Sequence, residues 1–327
     1  MRRSRRPVAR NRWLLLVAGS SHPELAESIA AKLGTSLGAI ELSAFESGES
    51  YCRYRESVRG ADAFLIQSCS PPVNDRLIEL LLMVQAARLA SAHRITAVMP
   101  WFPYSRQDKK SAAREPISAR LVADLLEAAG VDRVLTADLH AGQIQGFFRV
   151  PVDHMTALSL FVDHFRPLAS LGARVVAVAP DFGRAKMARR ISHAIGADFA
   201  IVVKTRPRHD VADAADVIGD VSGKIALIGD DMIVTGGTLA AAAHALRRAG
   251  AVEVRAFATH ALFTDEAFRH LAEAELAELV VTDTVPVPEL PPINLTVLSV
   301  AGLLAETIDN VFGDRSVSSI FRGTELF

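Results

Sequence analysis

The segment Lys224–Leu239 does most to restrict the folds open to this chain, because it predicts a strand, a loop and a helix in succession. Ile225–Ile228 is a short apolar run of the kind that a parallel sheet buries. Leu239–Ala249 is rich in helix formers, and the glycine that follows is a good C-cap. The segment therefore indicates a parallel α/β sheet with a loop, Thr235–Thr238, after one strand.

This loop has the chemistry of a phosphate site. Its backbone N–H groups and the hydroxyls of Thr235 and Thr238 stand at a helix N-terminus, where unpaired N–H groups and the helix dipole attract an anion. Asp230 and Asp231 precede the loop, and carboxylates there suit sugar hydroxyls or Mg²⁺ better than the phosphate itself. The loop contains no lysine and no G-x-G-x-x-G pattern, so it is neither a P-loop nor a dinucleotide fingerprint. An ordinary turn that carries two aspartates is the alternative.

The rest of the chain continues the alternation of strands and helices, in two series without a strict repeat. The predicted strands are Trp13–Ala18, Ala63–Gln67, Ile95–Met99, Val134–Thr136, Arg174–Val178, Phe199–Val203, Ile225–Ile228 and Val254–Thr259. The predicted helices are Pro23–Leu33, Leu77–Ala90, Ile117–Ala129, Phe182–Ile195, Leu239–Ala249 and Leu298–Phe312. This alternation predicts an α/β fold in which two halves share one architecture, each a mainly parallel sheet flanked by helices.

At 327 residues the chain is long enough for two domains of about 150 residues each. Residues 1–12 hold six arginines and no acidic residue, and we expect a disordered basic arm there. The N-terminal domain is expected at 13–150 and the C-terminal domain at 151–312, followed by a tail at 313–327. The sequence leaves open whether the helix at Leu298–Phe312 packs back on the N-terminal domain.

Composition and charge exclude several classes of function. A net charge of −1 gives no overall signature of nucleic-acid binding, and no apolar run is long enough for a membrane helix. Trp13–Ala18 is too short for the apolar core of a signal peptide. Cys52 and Cys69 have neither the number nor the spacing of a disulfide framework or a metal site. We therefore expect a cytoplasmic protein with no nucleic-acid and no membrane partner.

Eight further segments occur in an order that is highly specific. They are Phe45–Glu49, Glu56–Gly60, Gln67–Asp75, Pro100–Asp108, Arg114–Ser118, Asp138–Phe148, Ala179–Gly183 and Lys204–Arg206. Through these segments the chain, from about Leu14 to Phe321, resembles the ribose-phosphate diphosphokinases, the phosphoribosyl-diphosphate (PRPP) synthetases. The loop Thr235–Thr238 resembles the PRPP-binding loop of that family and of type I phosphoribosyltransferases.

The resemblance implies two type I phosphoribosyltransferase-like domains. It implies transfer of the β,γ-diphosphoryl group of ATP to the anomeric hydroxyl of ribose 5-phosphate, giving PRPP and AMP for nucleotide biosynthesis. Mg²⁺ is the implied cofactor. The family also implies a homo-oligomer of dimers that builds a hexamer, with phosphate and ADP as effectors.

Individual residues take roles from the same resemblance. The implied catalytic residues are Lys204 and Arg206, and the implied Mg²⁺ ligands are His140 and Asp181. The residues implied to bind ATP are Phe45, Ser47, Glu49, Arg106, Gln107 and Asp108. Those implied to bind ribose 5-phosphate are Asp230, Asp231, Thr235, Gly236, Gly237 and Thr238. An effector site is implied at Arg59, Ser316, Ser318 and Ser319.

These roles agree with the needs of phosphoryl transfer, which depends on positioning and on positive charge rather than on covalent catalysis. Alternate residues of an extended segment point to one side, so Lys204 and Arg206 can reach the same phosphate group. One imidazole and one carboxylate are a weak set for Mg²⁺, so water and phosphate oxygens must complete it. The polar loop Arg106–Glu115 is expected to be mobile and to close over ATP.

Four positions depart from the family pattern. Val234 stands where the family usually has an aspartate that contacts ribose, so a charged hydrogen bond worth about 1.5–3 kcal/mol is missing. Arg184 replaces the second glycine of a Pro-Asp-x-Gly-Gly motif, close to the place of the diphosphate. Ser47 replaces an aspartate or asparagine that helps to bind adenine, and Met187 stands near a usual arginine.

Three interpretations therefore remain open. The first is an active PRPP synthetase. The second, supported by Val234 and Arg184, is a weakly active or inactive regulatory subunit of such an enzyme. The third is a phosphoribosyltransferase that consumes PRPP, which agrees with the loop after Asp231 but not with Arg106–Asp108 or Asp138–Phe148. A pure binding module explains the motifs least.

Overall fold

The structure is a computed structural model that describes residues 12–170, 174–205, 214–288 and 293–321. The elements of the N-terminal half are β1 (Trp13–Ala18), α1 (Pro23–Lys32), β2 (Ile40–Ala44), β3 (Ser50–Tyr54), β4 (Ala61–Ile66), α2 (Val73–Leu89), β5 (Arg94–Met99), α3 (Ser118–Ala129), β6 (Arg133–Ala137) and β7 (Val152–Met155). A 3₁₀ helix, Gly142–Phe147, separates β6 from β7. The strand order β1-β4-β5-β6-β7 forms one wholly parallel sheet, and β2 and β3 form a separate antiparallel hairpin.

The C-terminal half repeats the layered arrangement. Its elements are α4 (Leu158–Ser170), β8 (Val175–Ala179), α5 (Ala185–Ile195), β9 (Asp198–Thr205), β10 (Ala214–Ile218), β11 (Ile225–Ile233), α6 (Gly237–Arg248), β12 (Glu253–Ala261), α7 (Asp265–Glu273), β13 (Glu278–Thr282), β14 (Leu295–Leu298) and α8 (Ala301–Phe312). Two 3₁₀ helices, Phe182–Arg184 and Ser318–Phe321, complete it. The sheet order is β10-β9-β8-β11-β12-β13-β14, and only β10 runs antiparallel to its neighbour.

Strands covered by helices on both faces form the core. Every residue of β4 and of β8 is buried, as expected for inner strands of parallel sheets. One apolar cluster joins the two halves, because Ile29 of α1 and Phe257 of β12 belong to it together with Leu304 of α8. The last helix thus packs against the first. None of the helices within the described ranges is long and apolar enough to span a bilayer.

The chain departs from the predicted boundaries at two places. Val152–Met155 pairs with β6, so a domain boundary at residue 150 would remove a strand from the first sheet. Arg12 was predicted to lie in the disordered arm, but its guanidinium binds Asp62 at 2.7 Å and Asp314 at 2.6 Å. Arg12 is therefore part of the folded body, and residues 1–11 lie outside the described residues.

Strand β11 also extends beyond its predicted end at Ile228. Met232 pairs with His260 of β12 and Ile233 with Ala261, which keeps the strand regular to Ile233. The carboxylates of Asp230 and Asp231 are consequently held by a strand rather than by a loop. A rigid strand positions side chains more accurately than a loop does.

The carboxylate of Asp62 is a buried ionic centre of the first sheet. Its side chain has no exposed surface, and it accepts hydrogen bonds from Arg12 at 2.7 Å and from Arg94 at 2.9 Å. His93 Nδ1 lies 2.7 Å from the same carboxylate. Both arginines extend to Asp314, which follows α8, so this cluster ties the two ends of the described chain together.

We expect Asp62→Ala to lower the free energy of unfolding by about 3 kcal/mol, because two arginines would lose their buried counter-ion. Unfolding in urea, followed by circular dichroism, measures the loss. Asp124→Ala is the matched control, since its carboxylate pairs with Arg120 on an exposed face of α3 and should contribute almost nothing. Equal losses in the two variants would contradict this role of Asp62.

Candidate active site

The carboxyl ends of three strands, one from the first sheet and two from the second, face a cavity of about 150 Å³. His140 follows β6, Asp181 follows β8, and Asp230 lies near the end of β11. In parallel α/β sheets ligands bind at this edge, where loops from several strands converge. The cavity therefore lies between the two halves of the chain and depends on both.

A direct contact joins the two halves inside this cavity. His140 Nδ1 lies 2.7 Å from Asp231 Oδ2, although the two residues belong to different sheets. The side chain of Asp231 is almost completely buried, and that of His140 is partly exposed. His140 can therefore face a ligand through its other ring nitrogen while Asp231 orients the ring.

Arg184 fills the space between these groups. It ends the 3₁₀ turn after β8, and its backbone N–H donates to the Asp181 carboxylate at 3.2 Å. Its guanidinium reaches Asp230 Oδ1 at 3.0 Å and Asp231 Oδ1 at 2.8 Å. Its Nη2 atom also lies 2.7 Å from His140 Nδ1. The residue that departs from the family pattern thus contacts four residues that the sequence assigns to the site, namely His140, Asp181, Asp230 and Asp231.

The two adjacent carboxylates have opposite pKa shifts. Burial, reinforced by the neighbouring charge of Asp231, raises the pKa of Asp230 to about 8. Burial acts on Asp231 too, but the hydrogen bond with His140 and the charge of Arg184 outweigh it and lower the pKa of Asp231. The pair therefore holds a proton more readily at Asp230 than at Asp231.

Asp138 anchors the segment that carries His140. Its carboxylate accepts hydrogen bonds from the Ala157 N–H at 2.9 Å and from Thr259 Oγ1 at 2.7 Å, and its carbonyl lies 3.2 Å from His260 Nε2. The φ of Asp138 is +37°, an unusual value for a residue with a side chain. Such strain persists only where surrounding contacts impose it. Asp138 therefore fixes the direction in which the chain enters the site.

Two histidines, the half-buried His154 and the buried His260, complete this support. His154 Nε2 accepts the Leu139 N–H at 2.9 Å, and burial lowers the pKa of His154. Burial also lowers the pKa of His260, whose Nδ1 lies 2.9 Å from Thr284 Oγ1. Both rings are therefore neutral near pH 7, and they support the site through hydrogen bonds.

The predicted phosphate loop has the backbone that its sequence requires. Gly236 is in the left-handed region, with φ of +72°, and α6 begins at Gly237. A Cβ at Gly236 would lie 3.1 Å from Leu271 Cγ and 3.2 Å from the Ala267 carbonyl. Thr235, Gly236 and Thr238 line the same cavity as His140 and Asp181. The loop and the predicted metal ligands therefore share one site.

The three side chains of Arg106–Asp108 lie in different surroundings, two of them in cavity walls and one in the core. Arg106 lines the phosphate-loop cavity and a neighbouring, mainly apolar one of about 470 Å³, where Gln107 joins it. Val234 lies in the walls of both cavities. Asp108 is buried and accepts a hydrogen bond from Gln143 Nε2 at 2.6 Å, so its contact supports the chain.

The predicted adenine residues lie elsewhere. Phe45, Ser47 and Glu49 occupy the turn between β2 and β3, where Ser47 Oγ donates to Glu49 at 2.6 Å. Phe45 is 57% exposed and contacts the Tyr51 ring edge-on. Within one chain they line neither of the cavities that contain Arg106.

Several other predicted residues cannot be joined to the cavity. Lys204 lies in β9, its side chain is outside the described part, and Arg206 lies outside the described residues. Ser316 Oγ and Ser318 Oγ are 2.7 Å apart on an exposed turn, and the Ser319 side chain is not described. Arg59 is exposed.

The residues present fit a magnesium ion that arrives with a phosphate. No group of three or more histidine, cysteine or acidic side chains in the described ranges is arranged to hold a metal ion alone. His140 and the exposed Asp181 line one cavity beside the phosphate loop. Mg²⁺ retains water and shares one or two carboxylates with substrate phosphates, which is the kind of site that these residues can form.

Sequence reasoning missed the supporting residues. The sequence motifs include Asp138 only within Asp138–Phe148 and do not point to His154, Thr259 or His260, although each of these three contacts the segment that carries His140. The motifs mark Arg184 as a departure without indicating its partners. The polar residues Thr259 and His260 at the buried end of β12 were the available signal.

Two family models match the chain. The model of the N-terminal domain of ribose phosphate pyrophosphokinase matches residues 14–130, and that of the phosphoribosyl synthetase-associated domain matches residues 191–322. A ribose-phosphate pyrophosphokinase of Mycobacterium tuberculosis is 48% identical over 318 residues, which cover 95% of this chain and 96% of the relative. One from Fusobacterium nucleatum is 45% identical over 307 residues, covering 94% of this chain and 97% of the relative.

A solved structure agrees with these relatives. The crystal structure of phosphoribosylpyrophosphate synthetase from Mycobacterium smegmatis matches with a TM-score of 0.87 at 46% identity, covering 92% of this chain and 99% of that chain. This match confirms the predicted α/β fold with two parallel-sheet halves. The chain therefore belongs to the ribose-phosphate pyrophosphokinase family.

Proposed function

We propose that the protein is a ribose-phosphate diphosphokinase, which transfers the diphosphoryl group of ATP to the anomeric hydroxyl of ribose 5-phosphate and releases PRPP and AMP. The observation that carries this proposal is the single cavity in which a phosphate loop, a carboxylate pair, His140 and Asp181 meet. The names of relatives that match nearly the whole chain support it.

The acceptor sugar would bind at the second sheet. The loop Thr235–Thr238 presents backbone N–H groups and hydroxyls at the N-terminus of α6, which suits the 5-phosphate. Asp230 and Asp231 lie at the end of the strand that leads into this loop, within reach of ribose hydroxyls. Both carboxylates would accept hydrogen bonds from these hydroxyls.

The donor nucleotide would bind on the side of Arg106. His140 and Asp181 would hold Mg²⁺, which when bound would neutralise charge on the ATP phosphates. Arg106 adds a positive charge at the wall of the same cavity. We propose that Lys204 and Arg206 stabilise the negative charge of the transition state. In the transfer, the anomeric hydroxyl releases its proton to water and its oxygen bonds to the β-phosphorus, while the bond from that phosphorus to the α,β-bridging oxygen breaks and AMP leaves.

We also propose an assembly in which the β2–β3 hairpin completes a neighbouring subunit. The exposed Phe45 ring at the hairpin turn, remote from its own chain's cavity, supports this arrangement. The same proposal includes a homo-oligomer built from dimers, a hexamer in the family pattern. It also includes phosphate and ADP as effectors near Arg59 and Ser316. Cys52 and Cys69 are both free thiols, which agrees with a cytoplasmic location.

A weakly active or regulatory subunit is the second candidate. The observation that favours it is the guanidinium of Arg184 on both ribose-binding carboxylates, together with the apolar side chain of Val234. A phosphoribosyltransferase remains the third candidate, and it would release diphosphate from PRPP in the presence of a base.

The proposed function is tested by incubating the protein with ATP, Mg²⁺ and ribose 5-phosphate, with and without inorganic phosphate. We expect AMP and PRPP in equal amounts, measured by chromatography. His140→Ala should reduce the rate by about 100-fold, because a group at the reacting phosphates is lost. Formation of neither product, with base-dependent release of diphosphate from PRPP, would favour a phosphoribosyltransferase instead.

Val234→Asp should improve the use of the acceptor. It restores a charged acceptor worth about 1.5–3 kcal/mol, so we expect KM for ribose 5-phosphate to fall about tenfold or more. Val234→Asn is the matched control, since it adds a polar group of the same size without the charge and should gain less. An unchanged or higher KM in the aspartate variant would show that another group already serves the ribose.

Gly236→Ala should weaken the binding of ribose 5-phosphate at least about tenfold, because a side chain would be strained at a φ of +72° and would press on α7. Calorimetry measures the affinity. Gly223→Ala is the control, since Gly223 has φ of +67° with nothing within 4 Å of its Cβ position and lies at the opposite end of β11. Equal affinity in the two variants would argue against this loop as the phosphate site.

A further inference from the structure

The guanidinium of Arg184 occupies the position where two substrates would meet. Its side chain is only 15% exposed and bonds to Asp230 Oδ1 through Nε and to Asp231 Oδ1 through Nη2, at 3.0 and 2.8 Å. It also separates the phosphate-loop cavity from a second cavity of about 340 Å³, to which Lys186 and Arg190 contribute. The guanidinium is therefore a buried part of the site and not a charge on the protein surface.

The Arg184 side chain is fixed at its backbone end, whereas its head, the guanidinium, can change position. The backbone N–H is held by the carboxylate of Asp181 at 3.2 Å and by its carbonyl at 3.3 Å. From this anchor the side chain extends across to β11, and its flexible methylenes allow the guanidinium to move without a change in the turn. The head can therefore leave the carboxylates while the chain around Asp181 keeps its shape.

The contacts at the head conflict with one another. Nδ1 of His140 lies 2.7 Å from both Asp231 Oδ2 and Arg184 Nη2. A ring nitrogen either donates a proton or accepts one, so it cannot satisfy a carboxylate and a guanidinium together. Arg184 thus pairs with two carboxylates but competes with Asp231 for Nδ1 of His140. This competition makes it easier for the guanidinium to leave its position between the carboxylates.

The same oxygens are those that we assign to the ribose hydroxyls. Asp231 uses Oδ1 for Arg184 and Oδ2 for His140, and Asp230 Oδ1 also accepts the Asp231 N–H at 2.8 Å. A hydroxyl is a weaker donor to a carboxylate than a guanidinium is. Ribose 5-phosphate can therefore use these oxygens fully only after Arg184 has moved.

We propose that Arg184 is a tethered competitor of the acceptor sugar, which covers Asp230 and Asp231 in the free protein and leaves them when ribose 5-phosphate binds. This inference rests on the proposed function of the site. Arg184 then sets the affinity of the site for ribose 5-phosphate. The free energy that displaces Arg184 comes from binding of the 5-phosphate to the loop Thr235–Thr238.

Calorimetry with ribose 5-phosphate tests the proposal in the intact chain. We expect Arg184→Ala to bind the sugar phosphate at least about tenfold more tightly than the unaltered protein, and Arg184→Lys to fall between the two. Arg189→Ala is the control, since Arg189 carries the same charge on the exposed side of α5, and its affinity should not change. Thermal melting of each variant establishes that it is folded.

A second measurement reports the movement itself. The ¹⁵N-ε signal of Arg184, identified by its absence in Arg184→Lys, should shift when ribose 5-phosphate is added. It should stay in place with inorganic phosphate, which can fill the loop but has no ribose hydroxyls. A shift with phosphate alone would make Arg184 a phosphate ligand and overturn the proposal.

The outcomes separate this inference from the proposed function. Binding of ribose 5-phosphate with equal or weaker affinity in Arg184→Ala would overturn the competitor role alone. Absence of binding in every variant, together with absence of PRPP formation, would overturn the proposed function and this inference with it.

Discussion

The whole site depends on the hydrogen bonds that Asp138 makes across the two sheets. Its carboxylate accepts from Thr259 and its carbonyl lies against His260, both in β12, while its own strand belongs to the other sheet. Thr259 and His260 are buried, and their polar groups would be costly to leave without a partner. Because β12 is paired with β11, the same contacts set the separation of His140 from Asp231.

The pattern of apolar, glycine and threonine residues along the sequence predicted individual strands, helices and turns. Buried apolar runs revealed most of the inner strands, and the glycines and threonines of Thr235–Thr238 revealed the turn into α6. The β2–β3 hairpin and the edge strands β7, β10 and β14 were missed, because their short, partly exposed sequences lack a continuous apolar run. The inner strand β13 and the helices α4 and α7 were missed as well.

The contacts within the site could not be predicted in this way. Arg184 meets Asp231 between neighbouring strands of one sheet, β8 and β11, and it meets His140 where the two sheets come together. Residues so far apart in sequence carry no mark of their proximity. The sequence did mark Arg184 as unusual and predicted that it would lie close to a bound diphosphate. Its partners, and therefore its charge balance, became visible only when the strand ends were placed side by side.

The ion cluster around Asp62 has a consequence for the order of folding during synthesis. Arg12 and Arg94 also bind the Phe312 and Val311 carbonyls, and α1 packs on α8. A chain that emerges from the ribosome from its N-terminus must therefore wait for almost its last residues before the first strand gains all its partners. Until then the apolar face of α1 is a surface that a chaperone must cover or that the second half must reach quickly.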